Sequence, residues 1–536
     1  MNEKQSLTES ENHALRDPIE LNRRVFLKNI GIAGSAFLIG GCSKIFASEP
    51  KTGRSPNIVF ILADDMGVDS VNALNSKSGI ETPYLNKLMT EGMTFTDAHS
   101  GSAVCSPTRY GILTGRYSWR TRMKRGIVGK WHRPLIDKDR LTVGKMLQQC
   151  GYNTACIGKW HLGWNWSNSD GKATENLKEI DFSKPVKGGP IERGFDYYLG
   201  NDVPNWPPYA WIENDRLEAM PTDIMKADKS NGVDSGPATP GWRLDEVLPR
   251  ITQRCVDYIG KRAKEDKPFF LYFPMTTPHT PINPSKRFKG KSGISKYADL
   301  LMETDWSAGQ VIETLDRYGL SENTLVIFAT DNGTSPKCNF EELEQKGVYL
   351  RENWRGMKAD IWEGGHRVPF IAKWPGVITP NSKCDEVITL VDFMATAAEV
   401  SGFDLPDTAG EDSVSLVSAF KGKKEFRRPP IICHSINGYF AVRKGKWKVE
   451  FCGGSAGWSD PRSDEQAKKL GLPEVQLYDL DADPKEQNNL CKKRPEIVEE
   501  LRAILKNYVD QGRSTPGAKQ NNEAPQHWKQ LPWPKI

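Results

Sequence analysis

The stretch Thr324-Leu325-Val326-Ile327-Phe328-Ala329-Thr330 carries no charge at any position and then stops at Asp331-Asn332-Gly333. A strand with one wet face alternates apolar and polar residues. One buried on both faces does not, so this run predicts an interior strand of a parallel sheet. Three more runs follow the same rule. Residues 57–63 lead into Asp64-Asp65-Met66-Gly67, and 154–157 lead into Gly158-Lys159-Trp160-His161. Residues 268–273 precede Pro278-His279-Thr280-Pro281. Helical patterns fall between the runs, at 141–149, 244–264 and 297–318. Strands alternating with helices mean an α/β fold, and in open α/β sheets the site lies beyond the carboxyl ends of the strands. Asp64, Asp65, Lys159, His161, His279, Asp331 and Asn332 are therefore expected to meet in one crevice.

At 536 residues the chain exceeds one simple core. The large, mostly parallel unit is read as residues 51–421, closed by a strand at 370–374 and a helix within 387–400. After Gly422 the character changes. Short strands are expected at 430–433, 439–442, 447–451 and 477–480, with a helix at 495–509. This is a small antiparallel α+β unit over 422–536, ending in a polar tail from Gln511.

Residues 1–50 read as a leader. Arg23-Arg24-Val25-Phe26-Leu27-Lys28 precedes a short apolar, glycine-containing run to Gly41. This resembles a twin-arginine export signal, so the expected location is periplasmic or secreted. The run is too short to span a bilayer. Ile39-Gly40-Gly41-Cys42 is a loose lipobox that would anchor Cys42 to lipid; cleavage after Ala47 is the reading preferred. No transmembrane span is expected elsewhere. The net charge of +5 includes no polybasic run, which argues against a nucleic-acid partner and allows an anionic substrate.

Of ten cysteines none shows zinc spacing. Cys433 and Cys452 are the pair best placed for a disulfide, across an expected hairpin, with free buried thiols the alternative. Cys105 stands apart, in Cys105-Ser106-Pro107-Thr108-Arg109 followed by Leu113-Thr114-Gly115. Beside Arg109 and a helix start, a thiolate with a lowered pKa is expected. Gly-Lys-Trp-His occurs twice, at 129–132 and 158–161. Only the second copy follows a strand; the first is read as surface loop. Between residues 165 and 243 the chain is loop-rich, and Trp164, Trp166, Trp206, Tyr209 and Trp211 cluster there. Aromatic faces suit sugar rings, but packing of an irregular insert is the reading preferred.

The pattern C-x-P-[S/T]-R-x-x-x-L-T-G resembles that of the type I sulfatases, the arylsulfatase A-like branch of the alkaline phosphatase superfamily. Leu-Ala-Asp-Asp-Met-Gly, Gly-Lys-Trp-His-Leu-Gly, Pro-His-Thr-Pro, Thr-Asp-Asn-Gly and Arg-Gly-x-Lys with Glu-Gly-Gly follow the family's order. So does Leu-Tyr-Asp-Leu-Asp-Ala-Asp-Pro. The resemblance spans residues 55–511.

The resemblance implies that Cys105 is converted to formylglycine (3-oxoalanine) by a maturation enzyme. It implies one Ca2+ held by Asp64, Asp65, Asp331, Asn332 and residue 105, all oxygen donors once 105 is modified. By the same resemblance Lys159 and Lys358 bind sulfate oxygens, and Arg109 holds the hydrate and buffers the carboxylates. His279 protonates the leaving alcohol with help from Lys358, and His161 takes a proton from the hydrate. Glu363 and His366 are left as structural or rim residues. The implied substrate is a sulfated carbohydrate or an aryl sulfate. Two other readings stay open: a phosphonate or phosphodiester hydrolase of the same superfamily, and a catalytically silent, calcium-dependent glycan binder.

Overall fold

The computed structural model describes residues 55–525 and 527–533. The expected leader, with Arg23-Arg24 and Cys42, lies outside the described residues. The main sheet has ten strands. In chain order they are β1 (Asn57–Asp64), β2 (Met93–Phe95), β3 (Asn153–Lys159), β4 (Tyr197–Asn201) and β5 (Ile212–Glu213). They continue as β6 (Arg216–Leu217), β7 (Phe269–Pro278), β8 (Thr324–Thr330), β9 (Phe370–Lys373) and β10 (Ser382–Cys384). The spatial order is β10-β2-β9-β8-β1-β7-β3-β4-β5-β6.

The five central strands, β8-β1-β7-β3-β4, run parallel. Antiparallel pairs lie at the flanks, between β8 and β9, β9 and β2, β4 and β5, and β5 and β6. The sheet is thus mixed and mostly parallel. The four strands expected from their apolar runs are neighbours, so their carboxyl ends lie side by side.

Strand β1 explains why such runs are uniformly apolar. Ile58, Phe60 and Leu62 enter one core, and Val59, Ile61 and Ala63 the opposite one. Each fully buried Ile or Phe there contributes about 1.5–3 kcal/mol of burial free energy. Helices α1 (Pro83–Glu91), α4 (Val247–Arg262) and α5 (Lys296–Arg317) cover the second face. Helices α2 (Cys105–Thr114), α3 (Val143–Gln149) and α6 (Phe393–Ser401) cover the first. Helix α6 starts later than its pattern suggested, because Ile388–Thr389 pairs as a short strand with Ala98–His99.

A second, antiparallel sheet holds β11 (Ile431–His434), β12 (Phe440–Lys444), β13 (Trp447–Glu450) and β14 (Gln476–Asp479). Helix α7 (Pro495–Gln511) packs on it through Leu501 and Leu505. Tyr117, Trp119 and Val391 enter the same core. A buried polar seam also ties this sheet to the larger one. Lys448 meets Glu363 at 3.1 Å and Glu486 at 2.7 Å, and Arg443 meets Asp97 at 2.8 Å. His366 lies 3.0 Å from His99, nitrogen to nitrogen. Glu363 and His366 are therefore structural rather than at a rim.

All nine described cysteines are free. The expected Cys433–Cys452 bridge does not form, because β12 runs between the strands that carry or precede the two residues. Neighbouring strands are about 4.8 Å apart, so a two-strand separation exceeds the Cα reach of a disulfide.

Candidate active site

Four strand ends deliver the site. β1 ends at Asp64 with Asp65 next, β3 ends at Lys159, β7 is followed by His279, and β8 is followed by Asp331 and Asn332. Helix α2 points its first residue, Cys105, at this row, and Cys105 Sγ lies 3.8 Å from Asp64 Oδ1. Arg109 is one turn further along α2, on the same face as Cys105. The chain closes tightly behind Asn332: a side chain on Gly333 would collide with the Gly364 carbonyl oxygen. This joins the Asp-Asn-Gly and Glu-Gly-Gly segments, and Lys358 N donates to the Thr334 carbonyl. Every predicted site residue is thereby brought together.

The charges interlock. Lys159 Nζ donates to Asp64 Oδ2 at 2.6 Å, and Lys358 Nζ meets Asp65 Oδ1 at 2.6 Å. Arg109 Nη2 and Nε donate to Asp331 Oδ2 at 2.7 and 3.1 Å, and Nη1 donates to the Lys159 carbonyl. Burial alone would raise the Asp64 carboxyl, but Lys159, His279, Arg109 and Lys358 hold it well below the usual carboxylate range. Desolvation and the neighbouring Asp64 charge push Asp331 up to about 7, against the pull of Arg109. Burial opposes the charge on Lys358, yet Asp65, Cys105 and Asp64 hold it protonated.

The Cys105 thiol departs from expectation. Burial at 2% exposure pushes it up to about 12, despite the pull of Lys159 and Lys358. The helix start and Arg109 do not produce a thiolate, because Asp331 and Asp64 face the sulfur as well. An unmodified Cys105 is a poor nucleophile here.

The two histidines differ in how they are held. His279 is the more open, and its Nδ1 donates to the Thr280 carbonyl at 2.6 Å, leaving Nε2 towards Asp65 Oδ2 at 3.8 Å. Burial lowers it to about 4, although Asp65 and Asp64 pull the other way. His161 has a left-handed backbone, φ 54°, and its amide donates to Asp202 Oδ1. Burial, then Lys159 and Arg109, lower it far below the usual imidazole value. Its Nε2 lies 3.1 Å from the Val128 carbonyl oxygen, and Nδ1 is buried without a partner among the described residues.

Some of these supports escape the sequence reading. Val128 immediately precedes the first Gly-Lys-Trp-His copy. That loop is at the surface, with His132 exposed, but it also reaches the site. Lys130 pairs with Asp234 at 2.6 Å and lies over the Trp206 ring. Trp206 in turn meets the His161 ring edge-on at 5.2 Å. The repeat of the tetrapeptide was the available signal. In the aromatic insert, Trp164, Trp166, Tyr209 and Trp211 are buried, so packing accounts for them.

Four oxygen-bearing residues suit a hard cation: Asp64, Asp65, Asp331 and Asn332. The Asn332 side chain donates to Asp65 Oδ1 at 2.8 Å, while its own Oδ1 is buried with no partner among the described residues. An orphaned carbonyl oxygen among carboxylates fits a metal ligand. Asp64, Asp65, Cys105 and His279 each offer an atom within 4.8 Å of the others. Three carboxyl groups face three basic side chains here, Arg109, Lys159 and Lys358. A divalent ion would leave a positive surplus, which is what an anionic ester needs.

Comparison with known proteins agrees with this geometry. The family model described as Sulfatase matches residues 56–403. An N-acetylgalactosamine-6-O-sulfatase of Bacteroides thetaiotaomicron is 31% identical over 88% of this chain and 97% of its own length. Human arylsulfatase A is 30% identical over 85% of this chain and 89% of its own. A solved structure from work on metabolism of multiple glycosaminoglycans by Bacteroides thetaiotaomicron superposes with a TM-score of 0.74 at 29% identity. It covers 85% of this chain and 99% of its own.

Proposed function

This chain belongs to the sulfatase family of sulfuric ester hydrolases, and from that premise we propose that it hydrolyses sulfate esters of carbohydrates, and aryl sulfates, through residue 105 matured to formylglycine. The observation that carries the reading is the position of Lys159 and Lys358 beside a buried Cys105 and an oxygen-only acidic set. Asp64, Asp65, Asp331, Asn332 and the matured residue 105 would hold one Ca2+. The cation and the hydrated aldehyde supply an oxygen nucleophile acidic enough to work near neutral pH.

The chain's own residues do the rest. Lys159 and Lys358 bind two of the sulfate oxygens and neutralise charge that grows in the transition state. Arg109 keeps the Asp331 carboxylate turned inwards through its two hydrogen bonds. Lys358, held protonated, and His279 face the departing alcohol oxygen; the His279 Nδ1 proton is kept by the Thr280 carbonyl, so Nε2 hands a proton to the alcohol only after the ring has taken up a second one beside Asp64 and Asp65. His161 Nδ1 has a free lone pair and no partner among the described residues, so it accepts the proton that regeneration of residue 105 releases. The thiol is out of reach of another protein in the folded chain, so the maturation enzyme acts before folding. Export by the twin-arginine signal at Arg23-Arg24, into the periplasm or beyond, completes the proposal, with acylation of Cys42 as the anchored form.

The test is mass spectrometry of the tryptic peptide containing residue 105, purified with a maturation enzyme present, followed by sulfate release from sulfated sugars. Formylglycine and sulfate release are expected. Persistent cysteine with competent maturation would overturn the mechanism. Faster turnover of phosphodiesters than of sulfate esters would move the chain to the other reading of its superfamily.

A further inference from the structure

Trp458 is the one exposed tryptophan among the described residues, at 36% exposure. It is not a stray surface residue. Its indole ring lies 5.9 Å from Lys358 Nζ, the same nitrogen that meets Asp65. It sits in a loop after β13 that is bonded to the segment following Lys358. Ile361 N donates to the Ser455 carbonyl at 2.8 Å, and a side chain on Gly457 would collide with the Ala359 carbonyl oxygen.

One buried carboxylate fixes both partners. Asp360 Oδ1 accepts from the backbone amides of Trp458 and Ser459 at 2.7 and 3.0 Å. Asp360 Oδ2 accepts from the Met357 amide at 3.0 Å, directly before Lys358. The loop that carries the indole and the turn that carries the lysine are thus held to a single group. A large apolar ring kept open to water costs free energy, and here a buried anion spends its hydrogen bonds on holding it in place.

We propose that Trp458 is the platform on which the sugar ring of the substrate stacks, next to the sulfate-binding Lys358, with Asp360 as the residue that positions both. This rests on the sulfatase reading and adds the ring-binding subsite to it. A sulfate bound at Lys358 brings its ester oxygen, and hence the attached ring, to the neighbourhood of that lysine. A pyranose offers one face of C–H bonds, and a flat indole removes that face from water while leaving the hydroxyls free. The ligand class is a sulfated pyranose with one unsubstituted face.

The experiment uses the mature, full-length enzyme and a panel of sulfated hexoses that includes 6-O-sulfo-N-acetylgalactosamine. For the panel member turned over best, Trp458→Ala should raise KM at least tenfold, and Trp458→Phe should restore most of the loss. The inhibition constant of inorganic sulfate, which has no ring, should change less than twofold in Trp458→Ala. Sugar binding should shift tryptophan fluorescence in wild type and not in Trp458→Phe. An unchanged KM in Trp458→Ala, alongside wild-type turnover, overturns the platform and leaves the sulfatase reading intact. Turnover of 4-nitrophenyl sulfate with no sulfated sugar does the same. A matured wild type that releases sulfate from no ester overturns the sulfatase reading itself.

Discussion

The carbonyl oxygen of Val128 lies 3.1 Å from Nε2 of His161. That contact sets the tautomer: Nε2 carries the proton, and Nδ1 is left with a bare lone pair in a buried site. The Val128 amide in turn donates to Ser106 Oγ at 3.1 Å, so the residue after Cys105 supports the segment that holds His161. Replacing His161 by Ala should lower kcat by about 10²–10⁴-fold with a smaller change in KM. Ser106→Ala leaves a buried amide unpaired, at a cost of about 1–3 kcal/mol. It should lower both the melting midpoint and kcat, and differential scanning calorimetry with steady-state kinetics measures the two.

Lys159 and Lys358 each face a different carboxylate, and neither stands in for the other. Lys159→Ala and Lys358→Ala should each lower kcat/KM by about 10²–10³-fold, the usual loss of one transition-state charge contact. Arginine should rescue poorly, because a compact ammonium is replaced by a wide planar fork in a narrow buried slot. Measured initial rates with 4-nitrophenyl sulfate decide this, and near-wild-type kcat/KM in either Ala variant would remove that lysine from the sulfate site.

The central strands were legible because burial on both faces leaves no room for alternation: Ile58 and Val59 enter different cores, so both must be apolar. The strand ends were legible because charged residues there stand out against such runs. The flanking directions were not. β9 has the same apolar character as its parallel neighbours, and nothing in its composition says that it runs the other way. The thiol of Cys105 was misjudged, since its state depends on Asp64 and Asp331, from other strands, and on burial. Val128 and Asp360 stayed hidden for a related reason. One acts through its backbone carbonyl, and the other holds a loop 98 residues away in sequence.

The cation proposed for this site should contribute stability as well as activity. Asp64, Asp65, Asp331 and Asn332 are buried, and the Asn332 Oδ1 has no partner among the described residues. A ligand present at a hundred times its Kd stabilises the folded state by about 2.7 kcal/mol. Chelation should therefore lower the melting midpoint, and Ca2+ should restore it. Asn332→Ala and Asp64→Asn should blunt that recovery. A midpoint indifferent to chelator in the matured protein would count against a cation at these residues.

The seam between the two sheets predicts an acid limb. Burial alone would raise the Asp97 carboxyl, but Arg367, His99 and Arg443 outweigh it and hold the group at about 2, below its ordinary 3.8. A carboxyl with a depressed folded pKa contributes stability above its unfolded pKa. That contribution is lost as pH falls from about 4 through about 2, because the unfolded chain takes up the proton first. The difference corresponds to roughly 2 kcal/mol at neutral pH. Asp97→Asn should remove this contribution at pH 7 while leaving Arg367 and Arg443 with less to pair against, and it should flatten the fall in melting midpoint between pH 4 and pH 2. A variant that keeps the wild-type slope over that interval would show that other carboxylates, not Asp97, govern acid unfolding of the seam.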